Sequence, residues 1–266
     1  MKLRLLALGA FIMCLTGCFD MTETFNIKED GTGTYEMKMD MSRAFGMLAM
    51  LKQGAKEDSK MPEKLDSIIY YKSFVDTVST LTAEEKAAFQ NGYAKIHMNE
   101  EEGDMYVNMY FPFADGKQLS VIQKALSKSG NGSVMDAVGN AVKSGLGAPA
   151  GADPMSGGMT AGAKQDNKQG LPMSDFTYTL GINNFTRTVK ASTSTTATPA
   201  KEDEMPEQFK EMMKINYTTI INLPRPAKNL SGKATLSADK KQVKFTKSMG
   251  IDDKHTPADF DFSIDY

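Results

Sequence analysis

The sequence predicts an α+β fold, an antiparallel sheet built from hairpins with helices packed on one face. Alternating apolar and polar residues come in pairs around short turns, as hairpins require. Short helices with their own capping signals stand between these hairpins, and single strands do not alternate strictly with helices. Connections are short except for one low-complexity gap at 127–172, where Gly, Ala, Ser, Met and Asn dominate.

The first hairpin sets Met21, Phe25 and Ile27 on one side of a strand and Thr22, Thr24, Asn26 and Lys28 on the other. Glu23 interrupts its apolar side. Asp30-Gly31-Thr32-Gly33 reads as the turn, and Tyr35, Met37, Met39 and Met41 then alternate with Glu36, Lys38 and Asp40. Ser42 is placed to cap a helix carrying Ala44, Met47, Leu48 and Leu51, ending at Gly54. Residues 55–66 are charged and read as a loop, and 67–78 has extended character without a clean period. Thr82 and Glu85 form a capping box opening a short helix.

The second hairpin carries Ala94, Ile96 and Met98, a turn at Glu101-Glu102-Gly103-Asp104, and Met105, Val107, Met109 and Phe111, with Pro112 expected to end it. Asp115 and Gln118 repeat the capping pattern before the apolar stripe Leu119, Ile122, Ala125 and Leu126. The gap that follows has too little apolar content to build a core, although Val134, Val138, Ala141 and Val142 outline a weak amphipathic helix. Phe176, Tyr178 and Leu180 pair with Phe185, Arg187 and Val189 in a third hairpin. Pro206 starts a brief helix, 215–223 reads as a strand, and Ala234-Thr235-Leu236 with Val243-Lys244-Phe245 makes a fourth hairpin. Phe260, Phe262 and Ile264 alternate in a closing strand.

Ahead of these elements, Lys2 and Arg4 precede a short apolar run and then Leu15-Thr16-Gly17-Cys18. A basic start, a short apolar core and small residues before a processing point describe a secretory signal. The run is too short for a bilayer span, which takes about 20 residues. Leu15 to Cys18 resembles the lipobox of bacterial lipoprotein signal peptides. That resemblance implies cleavage between Gly17 and Cys18, a diacylglyceryl thioether on Cys18 and a palmitate-type acyl chain on the new N-terminus. Residues 1–17 are then the signal, 18–20 the anchor and 21–266 one α+β domain. Cys14 is lost with the signal, so lipidation also accounts for the single cysteine left. Two or more acyl chains hold a protein stably at a membrane. Phe19 follows the cysteine and Asp20 comes only second, which in proteobacterial lipoproteins favours the outer membrane over retention on the periplasmic face of the inner one.

With 266 residues less 17, the mature chain has enough length for a core without disulfides. Its 31 basic residues less Lys2 and Arg4 stand against 33 acidic ones, a balance of −4. A mildly acidic, evenly mixed surface argues against nucleic acid and against a polybasic membrane patch. The absence of Trp beside 20 Met suggests an adaptable apolar interior.

Two segments carry a second resemblance. The Asp30-Gly31-Thr32-Gly33 hairpin lies just after the cysteine, and 215–224 precedes a hairpin turn with Asp239. Together they resemble the LppM-like lipoprotein domain, which implies an α+β envelope domain related to lipid-binding modules. Phe245 stands where that pattern has Trp, and the gap at 127–172 is foreign to it.

Residues with catalytic potential are few. His97 sits on the polar side of its strand, and His255 lies in the charged loop Asp252-Asp253-Lys254-His255. Neither has a nucleophile or a zinc-ligand partner at useful spacing. Asp259, Asp261 and Asp265 share the polar side of the closing strand without a calcium loop. No cofactor is expected beyond the covalent lipid. Met37, Met39, Met41, Met105 and Met109 either pack the core or line an adaptable apolar groove. Asp66-Ser67-Ile68 and Asp76-Thr77-Val78 resemble a short bacterial O-glycosylation sequon, with Ser67 and Thr77 as acceptors. The expectation is a non-catalytic, membrane-proximal binding or scaffolding module whose partners are the bilayer and a lipid or envelope protein. The alternative is a carrier of lipid or another apolar ligand, and an envelope hydrolase stands third.

Overall fold

The structure is a computed structural model of the chain, in which residues 19–46, 64–128, 134, 138–139, 176–189, 214–249 and 259–266 are described. Strands dominate. The first hairpin is β1 (Phe19–Ile27) and β2 (Gly33–Asp40), and the second is β4 (Tyr93–Asn99) and β5 (Asp104–Phe113). The third is β6 (Phe176–Leu180) and β7 (Asn184–Val189), and the fourth is β10 (Thr235–Leu236) and β11 (Gln242–Met249). Single strands β3 (Lys64–Tyr70), β8 (Ile215–Asn222), β9 (Asn229–Ser231) and β12 (Phe262–Asp265) complete the strands among the described residues.

Each hairpin read from the alternation is present, because period-two patterning fixes both the face and the register of a strand. Gly31 takes φ +82 in the first turn, a conformation that costs glycine least. Asp30 Oδ1 accepts the Thr32 N–H at 3.0 Å and so closes the loop locally. β1 begins at Phe19, two residues before the expected start at Met21. Pro112 does not end β5, which runs to Phe113. Pro112 lies past Tyr110, the last β5 residue facing β4, at a strand border where a missing N–H is tolerated.

The expectation of one antiparallel sheet is corrected. Strands form an eight-stranded sheet in the order β10-β11-β8-β1-β2-β5-β4-β3 and a separate four-stranded sheet, β6-β7-β12-β9. The larger sheet is mixed, because β8 runs parallel to β1 from Phe19↔Ile215 to Asn26↔Asn222. Hairpin signals report antiparallel neighbours in sequence, whereas a parallel pair needs a long crossover and leaves no local mark.

The smaller sheet packs across the inner face of the larger one, with Phe25 5.1 Å from Phe185 and Phe245 6.1 Å from Phe262 between ring centroids. Helix α1 (Ala83–Phe89) packs on α2 (Gly116–Leu126), which lies beside β6 of the smaller sheet. Thr82 Oγ1 accepts the Glu85 N–H and Glu85 Oε2 accepts the Thr82 N–H, completing the predicted capping box. At α2 the reciprocal bond differs, since Gln118 Oε1 accepts from Ala114 and not from Asp115. α2 lies against β5 and β6, and its inner residues Leu119, Ile122 and Ala125 are buried.

Within the stretch expected to stay out of the core, Val134 and Val138 are helical and buried in it. The remainder of the 127–172 gap beyond 139, Ala141 and Val142, the helix beyond 46 and the Pro206 helix lie outside the described residues.

Candidate functional site

Glu23, which interrupts the apolar side of β1, is 1% exposed, and Arg187 on β7 is 0% exposed. Three tyrosines converge on the carboxylate. Tyr35 donates to Oε1 at 2.5 Å, and the Tyr178 and Tyr217 hydroxyls both donate to Oε2. Arg187 reaches the same group through Tyr217. Its Nη1 donates to the Tyr217 hydroxyl at 3.4 Å and to Thr219 Oγ1 at 2.8 Å, while Nε donates to the Phe260 carbonyl at 2.8 Å. Its guanidinium carbon lies 4.2 Å from the Phe245 ring centre and 4.4 Å from that of Phe262, between two ring faces that attract a cation.

Burial, reinforced by the Glu23 charge, pushes the Tyr35, Tyr178 and Tyr217 hydroxyls well above the ordinary tyrosine range. They therefore remain protonated donors. Glu23 and Tyr35 come from the larger sheet and Tyr178 and Arg187 from the smaller, so the cluster ties one sheet to the other. The sequence held a signal for it: two inward strand positions carrying charges of opposite sign, with tyrosines at the inward positions around them.

A second constellation lies on the outer face of the larger sheet. Register brings Tyr70, Tyr93 and Tyr110 into one row across β3, β4 and β5. Their rings follow one another at 6.2 and 4.9 Å between centroids. Asp66, His97 and Tyr106 form another row. His97 Nδ1 lies 2.8 Å from Asp66 Oδ1, the His97 ring stacks on Tyr106 at 4.9 Å, and Lys38 stands over the Tyr106 ring. The bond from His97 holds the Asp66 carboxyl below its usual range. His97 was expected on the polar side and is there, half-buried against its neighbours. Ile68 and Tyr70 on β3 are each 53% exposed. Beyond β2 the same face becomes a ladder of amides and a hydroxyl, Gln242 to Asn222 to Asn26 to Thr34, at 2.9, 2.7 and 2.9 Å.

Met37, Met39, Met105 and Met109 are buried in the core, and Met41 is partly buried against it. Met37 faces Glu23 on one side and Met109 on the other. Ser67 is half-buried in the middle of β3, and Thr77 is exposed with its hydroxyl on the Phe74 carbonyl. The closing aspartates do not converge. Asp259 pairs with Lys233, Asp261 accepts the Val189 N–H, and Asp265 meets Asn229. Gly17, Cys18, Asp252, Asp253 and His255 lie outside the described residues. Among the described residues no group of three or more His, Cys, Asp or Glu is placed to hold a metal. A shallow groove of about 260 Å³ lies between α1 and α2, bridged by the Lys117–Glu84 ion pair. No helix among the described residues is long and apolar enough to cross a membrane.

No family model and no curated protein matches the chain. Among solved structures, the chain is similar to the folded domain of LppM from Mycobacterium tuberculosis, determined by NMR, at 7% identity and a TM-score of 0.32. That likeness covers 94% of this chain and 89% of the other. A likeness at that score decides neither fold nor function.

Proposed function

We propose that this chain is a lipid-anchored bacterial envelope protein that works by binding or scaffolding close to the membrane and not by catalysis. The observation that carries this is the start of β1. Phe19 directly follows Cys18 and is already paired, opposite Ile215 of β8, in a strand flanked on both sides. A residue of chain reaches at most about 3.3–3.6 Å, so an acylated Cys18 leaves no tether and sets the end of the sheet on the bilayer. In this reading the binding face is the outer face of β3, β4 and β5, two to four strands from β1 in the same sheet. Tyrosine gives such a face large contact area with polar tips and is enriched in binding surfaces.

Membrane fractionation with mass spectrometry of the N-terminal peptide tests the anchor. The expected peptide begins at Cys18 and carries a diacylglyceryl group, and mature membrane-bound protein with unmodified Cys18 would overturn it. Isolation from detergent-solubilised envelope tests the binding face. A partner retained by the natural chain should be lost on Tyr93→Ala with Tyr110→Ala, and equal recovery would remove that face from the proposal.

A further inference from the structure

We propose that β1 is a locked junction, closed to endoproteases for as long as the domain is folded, so that the domain cannot be cut from its anchor. This rests on the lipid-anchored reading, in which the chain leaving Cys18 enters the domain through β1. An endoprotease holds its substrate as an extended segment and must reach backbone groups and side chains on both sides of the bond it cuts. β1 offers neither. It pairs with β2 from Asp20↔Asp40 to Ile27↔Gly33 and with β8 from Phe19↔Ile215 to Asn26↔Asn222, so both of its edges are occupied. Met21, Glu23, Phe25 and Ile27 are buried, and Asp20, Thr22, Thr24 and Asn26 are half-buried on the other face.

Side chains fasten the strand beyond its backbone pairing. Asn216 Nδ2 donates to Asp20 Oδ1 at 2.8 Å near the start of β1, and Asn222 Nδ2 donates to Asn26 Oδ1 at 2.7 Å near its end. Between these ties stands Glu23, five residues past Cys18. Tyr35 of β2, Tyr178 of β6 and Tyr217 of β8 all donate to its carboxylate. Drawing β1 out strips those hydroxyls of their shared acceptor and takes a neighbour from both adjacent strands. A cut after Phe19, at the strand end, also needs the residues that follow it, and these run into Glu23. Opening β1 is therefore opening of the whole domain and not fraying of one end.

This changes what controls release from the membrane. A domain on a flexible tether is shed at the rate at which a protease cuts an unfolded peptide. Where the only connection is a strand paired on both sides, cutting waits for the open form, and its rate follows the population of that form. Release then reports folding stability, and Glu23 acts on it as a positioning residue that holds β1 in the sheet.

Chymotrypsin added to membranes carrying the full chain tests this, with the cuts located by mass spectrometry. Phe19, Met21 and Phe25 supply sites within β1. A comparison chain carries a flexible insertion of about ten Gly and Ser residues with one Phe between Cys18 and Phe19. The inserted Phe should be cut at least about a hundredfold faster than any bond within 19–27 of the natural chain. Glu23→Ala and Tyr35→Phe should each speed cutting within 19–27 by the factor by which they raise the unfolding constant measured in urea. Tyr35→Phe removes one hydroxyl and decides the outcome if Glu23→Ala does not fold. Cutting within 19–27 as fast as at the inserted Phe, or a rate that stays constant while the unfolding constant rises, would overturn the proposal. Natural chain that does not sediment with membranes sinks the anchor reading alone, and its cutting rates in solution still decide whether β1 is locked. Membrane-bound chain cut freely within 19–27 sinks the lock and leaves the anchor standing.

Discussion

Glu23 and Arg187 are the two ends of one buried hydrogen-bonded chain whose middle link is the Tyr217 hydroxyl. The two charges sit on different sheets. Taking either into the core alone would cost several kcal/mol, and here tyrosine hydroxyls, a threonine and ring faces replace the lost water. Removing one end leaves the other buried without its counterpart. Glu23→Ala and Arg187→Ala should each destabilise the domain by about 3–5 kcal/mol. Glu23→Leu combined with Arg187→Met should cost clearly less than the sum of its single changes. Urea denaturation of Glu23→Leu, Arg187→Met, their combination and the natural chain checks this, and additive losses would show that the two ends are independent.

Alkaline pH should unfold the domain through the same cluster. The folded values of Tyr35, Tyr178 and Tyr217 lie above the usual 10.0, so the folded state holds these protons more tightly than the unfolded chain. Their contribution is complete below pH 10 and is lost as pH rises toward the folded values. Each tyrosine should then remove about 1.4 kcal/mol per pH unit above 10. Tyr217→Phe should reduce that slope by one proton while itself costing about 1–3 kcal/mol at neutral pH. Denaturation midpoints measured from pH 8 to 11.5 decide it, and a flat profile would refute the assignment.

The buried methionines distinguish a sealed core from a carrier. Met39→Gln places an amide at a position 4% exposed, beside Val107 and Met21 in the register. In a sealed core it should cost about 1–3 kcal/mol for the unpaired amide. The purified natural chain should then contain no acyl lipid beyond what is covalently attached at Cys18, as read by mass spectrometry of the non-covalent extract. Lipid bound to the natural chain and lost from a stable Met39→Gln variant would establish the carrier reading instead.

The gap divides at its two buried valines. Val134→Asp or Val138→Asp should lower stability by several kcal/mol, since each would bury a carboxylate in the apolar core. Deleting residues 143–172 should leave a cooperative melt. Loss of cooperativity in the deletion would show that the core extends further along the chain.

Much of the architecture was legible because it is local. Alternation at Phe25, Ile27, Tyr35 and Met37 fixes the first hairpin, and Thr82 with Glu85 fixes the start of α1, since each depends on residues a few positions apart. The lipobox-like Leu15 to Cys18 is local in the same sense. Tertiary structure alone decided what the alternation left over. Glu23 read as a defect until Tyr178 and Tyr217, more than 150 residues away, supplied donors for its carboxylate. The parallel join of β1 to β8 and the split into two sheets are equally non-local. Period-two patterning specifies which face of a strand is buried. It carries no information about which distant strand lies beside it, because backbone hydrogen bonds are the same for every sequence and partner choice is made by packing.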